Sequence, residues 1–242
     1  MAKDLDVIIR RFIAEADAAA GGALQAVILY GSAAGDHYLP GRSDLNFLLI
    51  ADTVDLALLD GLQKKAGAWG KKRIATPLVV QSSFLASSAD SYPLEILGMM
   101  AGYRVLKGED PFKGLVPQKE HVRLQVEREV KAKTLLFQSG YLESLGKHHR
   151  LLDCLTGALP ALQAIVRGIV FLRDGDWRVC GSQLHGRCAA VIGVDGGVLD
   201  AIQAARSAKA IPDRRETLQL YARTLEFLRC LSGIVERGPS GI

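Results

Sequence analysis

Apolar residues in the first segment fall at Leu5, Ile8, Ile9, Phe12, Ile13 and Ala16. That spacing follows the helical period and predicts an amphipathic helix over residues 5–20, ended by Gly21-Gly22. The pattern then changes. "AVILY" (26–30) and "FLLIA" (47–51) are unbroken apolar runs, too short for helices and suited to strands buried on both faces. Between them stand Gly31, Gly35, Pro40 and Gly41, all turn formers. Leu56, Leu59, Leu62, Ala66 and Trp69 restore the helical period as far as Trp69, with Asp52 or Thr53 as the cap and Gly67 and Gly70 weakening the last turn. "IATPLVVQ" (74–81) reads as a third strand, and Pro77 puts it at a sheet edge because proline cannot donate to a ladder. A helix from about Pro93 and a short return strand over 103–106 complete this half.

"KGEDPFKGLVPQ" breaks every period and marks a boundary. Beyond it the chain reads as helix. Residues 119–145 are long and amphipathic, through Val122, Val126, Val130, Leu135 and Leu142. Residues 151–172 are strongly apolar and predict the central helix of a bundle, or a dimer face, kinked or divided at Pro160. Shorter helices are expected over 179–192 and 197–207, and a last one from near Pro212 to just before Gly238-Pro239. The expected fold class is therefore α+β: a small mixed-sheet domain over 1–116 and an all-α helical bundle over 117–242.

Composition narrows the function classes. Of 242 residues, 49% are hydrophobic and 23% charged, which is globular. The net charge of +4 is spread along the chain, whereas a nucleic-acid footprint is a dense patch, so nucleic acid is not expected as a partner. Charges at Asp4, Asp6, Arg10, Arg11 and Glu15 interrupt the first apolar segment, unlike an export signal. The charge-free run 154–166 is shorter than the roughly 18 residues that span a membrane. A cytoplasmic protein with no membrane association is expected. Cys154, Cys180, Cys188 and Cys230 form no C-x-x-C pair and read as reduced structural thiols. His37, His121 and His185 read as surface or satisfied core histidines.

The chemistry concentrates in "AVILYGSAAGDHYLPGRSDLNFLLI" (26–50). Gly31-Ser32 ends a buried strand, where a glycine lets backbone approach a ligand and the serine hydroxyl and nearby amides can donate to phosphate oxygens. Ser32 can also cap a short helix. Asp44 and Asn46 alternate around Leu45, so both face one side of the second strand. Two acids at that spacing would hold Mg²⁺ ions that bridge nucleotide phosphates. Here the second is an amide.

Gly31-Ser32, then Ser43-Asp44-Leu45-Asn46, then Phe47 to Ile50 resembles the nucleotidyltransferase superfamily, the DNA polymerase beta-like fold. With a helical bundle following, the layout is similar to the small-molecule and antibiotic nucleotidyltransferases. The resemblance implies transfer of a nucleoside monophosphate from a nucleoside triphosphate to an acceptor hydroxyl on a small molecule or protein, with Mg²⁺. It implies Gly31, Ser32 and Ser43 as nucleotide-binding residues, Asp44 as the catalytic residue, and Asp44 with Asn46 as metal ligands. Three departures stand beside it. Gly35 and Asp36 occupy positions that are Arg and Gly in the antibiotic enzymes, Asn46 replaces the second metal carboxylate, and "TPLVVQ" carries no third acid.

These departures keep a second reading open: a catalytically inactive descendant that binds nucleotide or a partner protein and regulates. Asp36 and Glu95 are candidate replacements for the missing acids, although Glu95 equally suits a helix first turn. Arg42 is a candidate counter-ion for Asp44 or a phosphate contact. "KKAGAWGKKR" reads as a wet helix end that can also attract an anion. A second copy of the chain is a candidate partner.

Overall fold

The computed structural model describes residues 2–35, 38, 43–208 and 212–237. Two compact units emerge. One comprises Met1–Ala89 and Gly98–Val116, the other Asp90–Leu97 and Pro117–Ile242. The architecture is α+β, a small mixed sheet with helices and a C-terminal helical region.

The α/β unit is built on α1 (Ala2–Ala19), β1 (Leu24–Tyr30), β2 (Asn46–Ala51), α2 (Leu56–Gly70), β3 (Leu78–Gln81), the short α3 (Ser82–Ser87) and β4 (Tyr103–Lys107). The strands lie in the order β3-β2-β1-β4. β1 is antiparallel to β2 and to β4, while β2 and β3 are parallel, joined through α2. Val27, Leu29, Phe47 and Leu49 point to one face, where Ile9, Phe12 and Ala16 of α1 and Leu58, Leu62 and Trp69 of α2 form a shared core. Phe12 stacks on Phe47 at 3.8 Å between ring centroids and meets Trp69 edge-on at 4.8 Å. The Trp69 indole N–H donates to Glu15 Oε2 at 3.0 Å, so the buried ring keeps its polar edge satisfied. Ala26, Ile28, Leu48 and Ile50, on the other face, are buried as well.

Several expectations shift here. The cap of α2 is Asp55, which accepts from Leu58 N–H at 2.9 Å, and neither Asp52 nor Thr53 caps it. α2 continues through Gly67 to Gly70. Regular pairing of β3 begins only at Leu78, after Pro77, with an isolated bridge from Leu45 to Ile74 before it. β3 lies at the sheet edge. α3 carries no long apolar period and was not expected.

The helical unit contains α5 (Lys119–Glu143), α6 (His148–Asp174), α7 (Gly181–Arg187), α8 (Gly197–Ser207) and α9 (Arg214–Glu236). The start of α4 (Pro93–Met100) groups with it through Leu94 and Leu97. α6 is central. Leu151, Leu155, Leu159, Leu162, Ile165, Val166 and Ile169 pack with Val122, Val126 and Val130 of α5, Leu199 and Ile202 of α8, and Leu228 and Leu231 of α9. By length and composition α6 could cross a membrane, but most of its apolar stretch is buried in this core, which accounts for its composition.

α6 is not divided at Pro160. Proline inside a helix costs about 3 kcal/mol through a lost hydrogen bond and a clash. Pro160 sits on the exposed side, while Leu159 and Leu162 on the buried side hold the helix together. The helix expected over 179–192 is α7 followed by a wide π turn, Cys188–Ile192. α9 opens with a capping box: Asp213 accepts from Glu216 N–H at 2.7 Å and Glu216 accepts from Asp213 N–H at 3.0 Å.

Candidate functional site

The register of β1 on β2 assembles the site. Tyr30 lies directly opposite Asn46, so the residues that follow Tyr30 turn over the start of β2. Gly31–Ala34 form a single 3-10 turn, with Tyr30 as its extended N-cap. Ser32 is therefore inside the turn and does not cap it. With only four residues the turn has no useful macrodipole, so any anion would be bound by individual amides and the Ser32 hydroxyl. Among the described residues that hydroxyl has no hydrogen-bond partner, and Ser32 is half-buried.

Gly31 is needed for two reasons. Its φ of +77° is a left-handed conformation that side chains disfavour. A Cβ there would also sit 3.3 Å from Asn46 Nδ2, tighter than ordinary contact. Its N–H donates to Gly102 O at 2.9 Å, which fastens the turn to the residue just before β4. Gly31 is thus held between β2 and the start of β4.

Asp44 lies two residues before β2 and is 52% exposed. Its Oδ1 is 3.1 Å from Nη2 of Arg73, whose side chain is 46% exposed. Arg73 is one of two non-glycine residues with positive φ among those described, at +58°. Its N–H donates to Gly70 O at 3.0 Å, and its carbonyl accepts from Leu45 N–H at 2.9 Å. Ala75 N–H in turn donates to Leu45 O at 3.0 Å. The unusual backbone is therefore held from both sides, and it brings the guanidinium to Asp44. Arg42, the expected counter-ion, lies outside the described residues, as do Asp36 and His37. Ser43 is half-buried beside Asp44.

Asn46 shares its face of the sheet with Tyr30 and Tyr103, its neighbours across β1 and β4. Burial pushes both phenols above their ordinary pKa, and for Tyr103 the Asp110 carboxylate that accepts its O–H at 2.9 Å adds to the effect. Both rings are neutral at physiological pH. On β3 the residues of the same face are Leu78 and Val80, partners of Leu48 and Ile50. Glu95 belongs to the helical unit, in the first turn of α4, where it accepts from Gln125 Nε2 at 2.8 Å.

A pair of Mg²⁺ ions does not fit this donor set. Mg²⁺ is recruited by one or two carboxylates together with phosphates. Spacing along β2 places one carboxylate, Asp44, beside Asn46, and a guanidinium already engages it, while Asp110 reaches the same face at the Tyr103 hydroxyl. Asn46 is neutral.

The sequence offers Arg73 only as the end of a basic run that can attract an anion, and does not single out Gly102. Arg73 ends a basic run that resembles any wet helix end, and only its left-handed backbone sets it apart. Gly102 precedes a strand like many turn glycines. Elsewhere, His185 is a satisfied core histidine, 3% exposed, with Nδ1 2.7 Å from Asp200 and Nε2 3.0 Å from Gln163. All four cysteines are free, and Cys188 is buried. Comparison with protein-family models and with curated proteins finds no match to this chain.

Proposed function

We propose that the α/β unit binds a nucleoside triphosphate at the Gly31-Ser32 turn, as a descendant of the nucleotidyltransferase fold that no longer carries out the transfer. One observation carries this reading: the turn that would hold phosphate lies beside Asn46, whereas Asp44, the remaining acid, is held by Arg73. A phosphate-binding turn is retained and the carboxylate pair that would drive transfer is not. The Ser32 hydroxyl and the backbone amides of the turn donate to phosphate oxygens. A soluble, cytoplasmic setting, where nucleoside triphosphates are abundant, belongs to the same reading and is supported by the burial of α6 and by the reduced cysteines.

A second reading, transfer of a nucleoside monophosphate to an acceptor hydroxyl, is favoured by a single feature. Asp44 stands half-exposed at the head of β2, and its surface ion pair is worth only about 0–1 kcal/mol, little to displace.

Equilibrium dialysis with radiolabelled ATP, GTP, CTP and UTP tests the first reading, and pyrophosphate release in the same samples tests the second. We expect at least one nucleotide to be retained, retention to fall in Ser32→Ala, and no pyrophosphate to appear. Retention by none of the four rejects the nucleotide reading. Steady pyrophosphate release that stops in Asp44→Ala replaces it with the transferase.

A further inference from the structure

We infer that Arg73 takes the place of the divalent cation in this site, so that the triphosphate is bound by a guanidinium and without metal. The inference rests on the nucleotide-binding reading above and names what neutralises the phosphates.

Three observations and one chemical requirement point the same way. The guanidinium lies 3.1 Å from Asp44 Oδ1, at the carboxylate a metal would use. Position 46 is an amide, and the Asn46 face of β3 is Leu78 and Val80, so the negative charge that recruits Mg²⁺ has been removed. Triphosphate oxygens still need a positive partner, and an arginine fork suits them geometrically. Finally, Arg73 closes α2 in a left-handed backbone at φ +58°, a common helix ending in which Arg73 N–H donates to Gly70 O and Ile74 N–H to Trp69 O. The Arg73 carbonyl accepts from the N–H of Leu45, the residue between Asp44 and Asn46. The backbone that positions Arg73 is thus tied directly to the strand that carries the lost metal ligands. Asp44 has a changed task in this arrangement: it holds the guanidinium in place and contributes no attraction to phosphate.

That change of task separates the two chemistries. At a metal site, removing the Asp44 charge abolishes nucleotide binding. At an arginine site, it removes a repulsion and leaves the positive charge of Arg73 in place.

Titration calorimetry of the full chain with a nonhydrolysable ATP analogue, or the analogue of whichever nucleotide dialysis retains, decides between them. Each titration is run in EDTA and in excess Mg²⁺. Wild-type affinity in EDTA is expected within about threefold of that in Mg²⁺. Arg73→Gly is expected to bind about 10- to 100-fold more weakly in EDTA, the loss of a charge-assisted contact. Glycine accepts the left-handed backbone, so this variant should melt no lower than wild type, which excludes misfolding as the cause. Arg73→Gln, which keeps a long polar side chain without the charge, should show the same loss. Asp44→Asn is expected to bind at least as tightly as wild type. An absolute need for Mg²⁺, or Arg73→Gly binding as wild type does in EDTA, overturns the inference and leaves nucleotide binding standing. No binding in either buffer overturns both.

Discussion

The two units handle polar chemistry in opposite ways. In the helical unit, polar side chains inside the core are taken up by internal partners. Tyr221 donates to Phe137 O at 2.6 Å, Thr217 and Thr224 donate to helix carbonyls, and His185 is held by Asp200 and Gln163. In the α/β unit, Ser32, Asp44 and Asn46 gather at one end of the sheet and remain half-buried or exposed. A buried polar group must be paired or it costs stability, so the first set is accounted for by folding alone. The second set is not, and that excess directs attention to the Gly31 turn.

Substitutions should divide along the same line. The largest effect is expected inside the helical core. Leu159 is fully buried, and Leu159→Ala should cost about 2–5 kcal/mol, seen as a clear drop in melting temperature, with nucleotide affinity per folded molecule unchanged. Gly31→Ala should be milder for stability and severe for binding. A left-handed alanine costs about 1–2 kcal/mol, and its methyl presses on Asn46, so thermal melts should show a modest fall and dialysis a near-total loss of nucleotide.

The largest pH effect with a clear cause belongs to the helical unit. Burial, with Asp195 and Asp200 adding to it, pushes the Cys188 thiol up to about 12, from 9.0. The folded state holds this proton more tightly than the unfolded chain. Its contribution is therefore fully present below pH 9 and is lost as pH rises from 9 toward 12, at up to about 1.4 kcal/mol per pH unit. Denaturation curves between pH 8 and 10.5 should show this fall, and Cys188→Ala should flatten it. The smallest effect is expected at the surface pair. Asp44→Asn should change stability by less than about 1 kcal/mol, since both partners are well exposed. A loss as large as that of Leu159→Ala would mean that Asp44 is structural, and would remove the contrast between the units.

The long helices and the buried strands were legible because each follows one period over its length, whereas the grouping of Asp90–Leu97 with the helical unit was not. Val122, Val126 and Val130 on α5 and the apolar run of α6 could be read directly, as could the two buried strands around Gly31. That α6 runs on through Pro160 undivided could not be read either, because it depends on which side of the helix the proline occupies, and that is a tertiary fact. The cap of α2 misled, since Asp52, Thr53 and Asp55 are all competent caps and only the path of the chain leaving β2 selects Asp55. At the site, the sequence made Gly31, Asp44 and Asn46 visible as neighbours in a motif. It could not show Arg73 beside Asp44. That contact depends on the parallel return of the chain from α2 to β3 and on one left-handed residue, and neither leaves a local pattern.

Hydrogen exchange followed by mass spectrometry, on the full chain with and without a saturating nonhydrolysable nucleoside triphosphate, compares the units in one measurement. The account predicts that nucleotide slows exchange in peptides covering 30–35 and 44–47 and leaves those covering 151–172 unchanged. Protection confined to the helical unit, or no protection anywhere at saturating nucleotide, would contradict it.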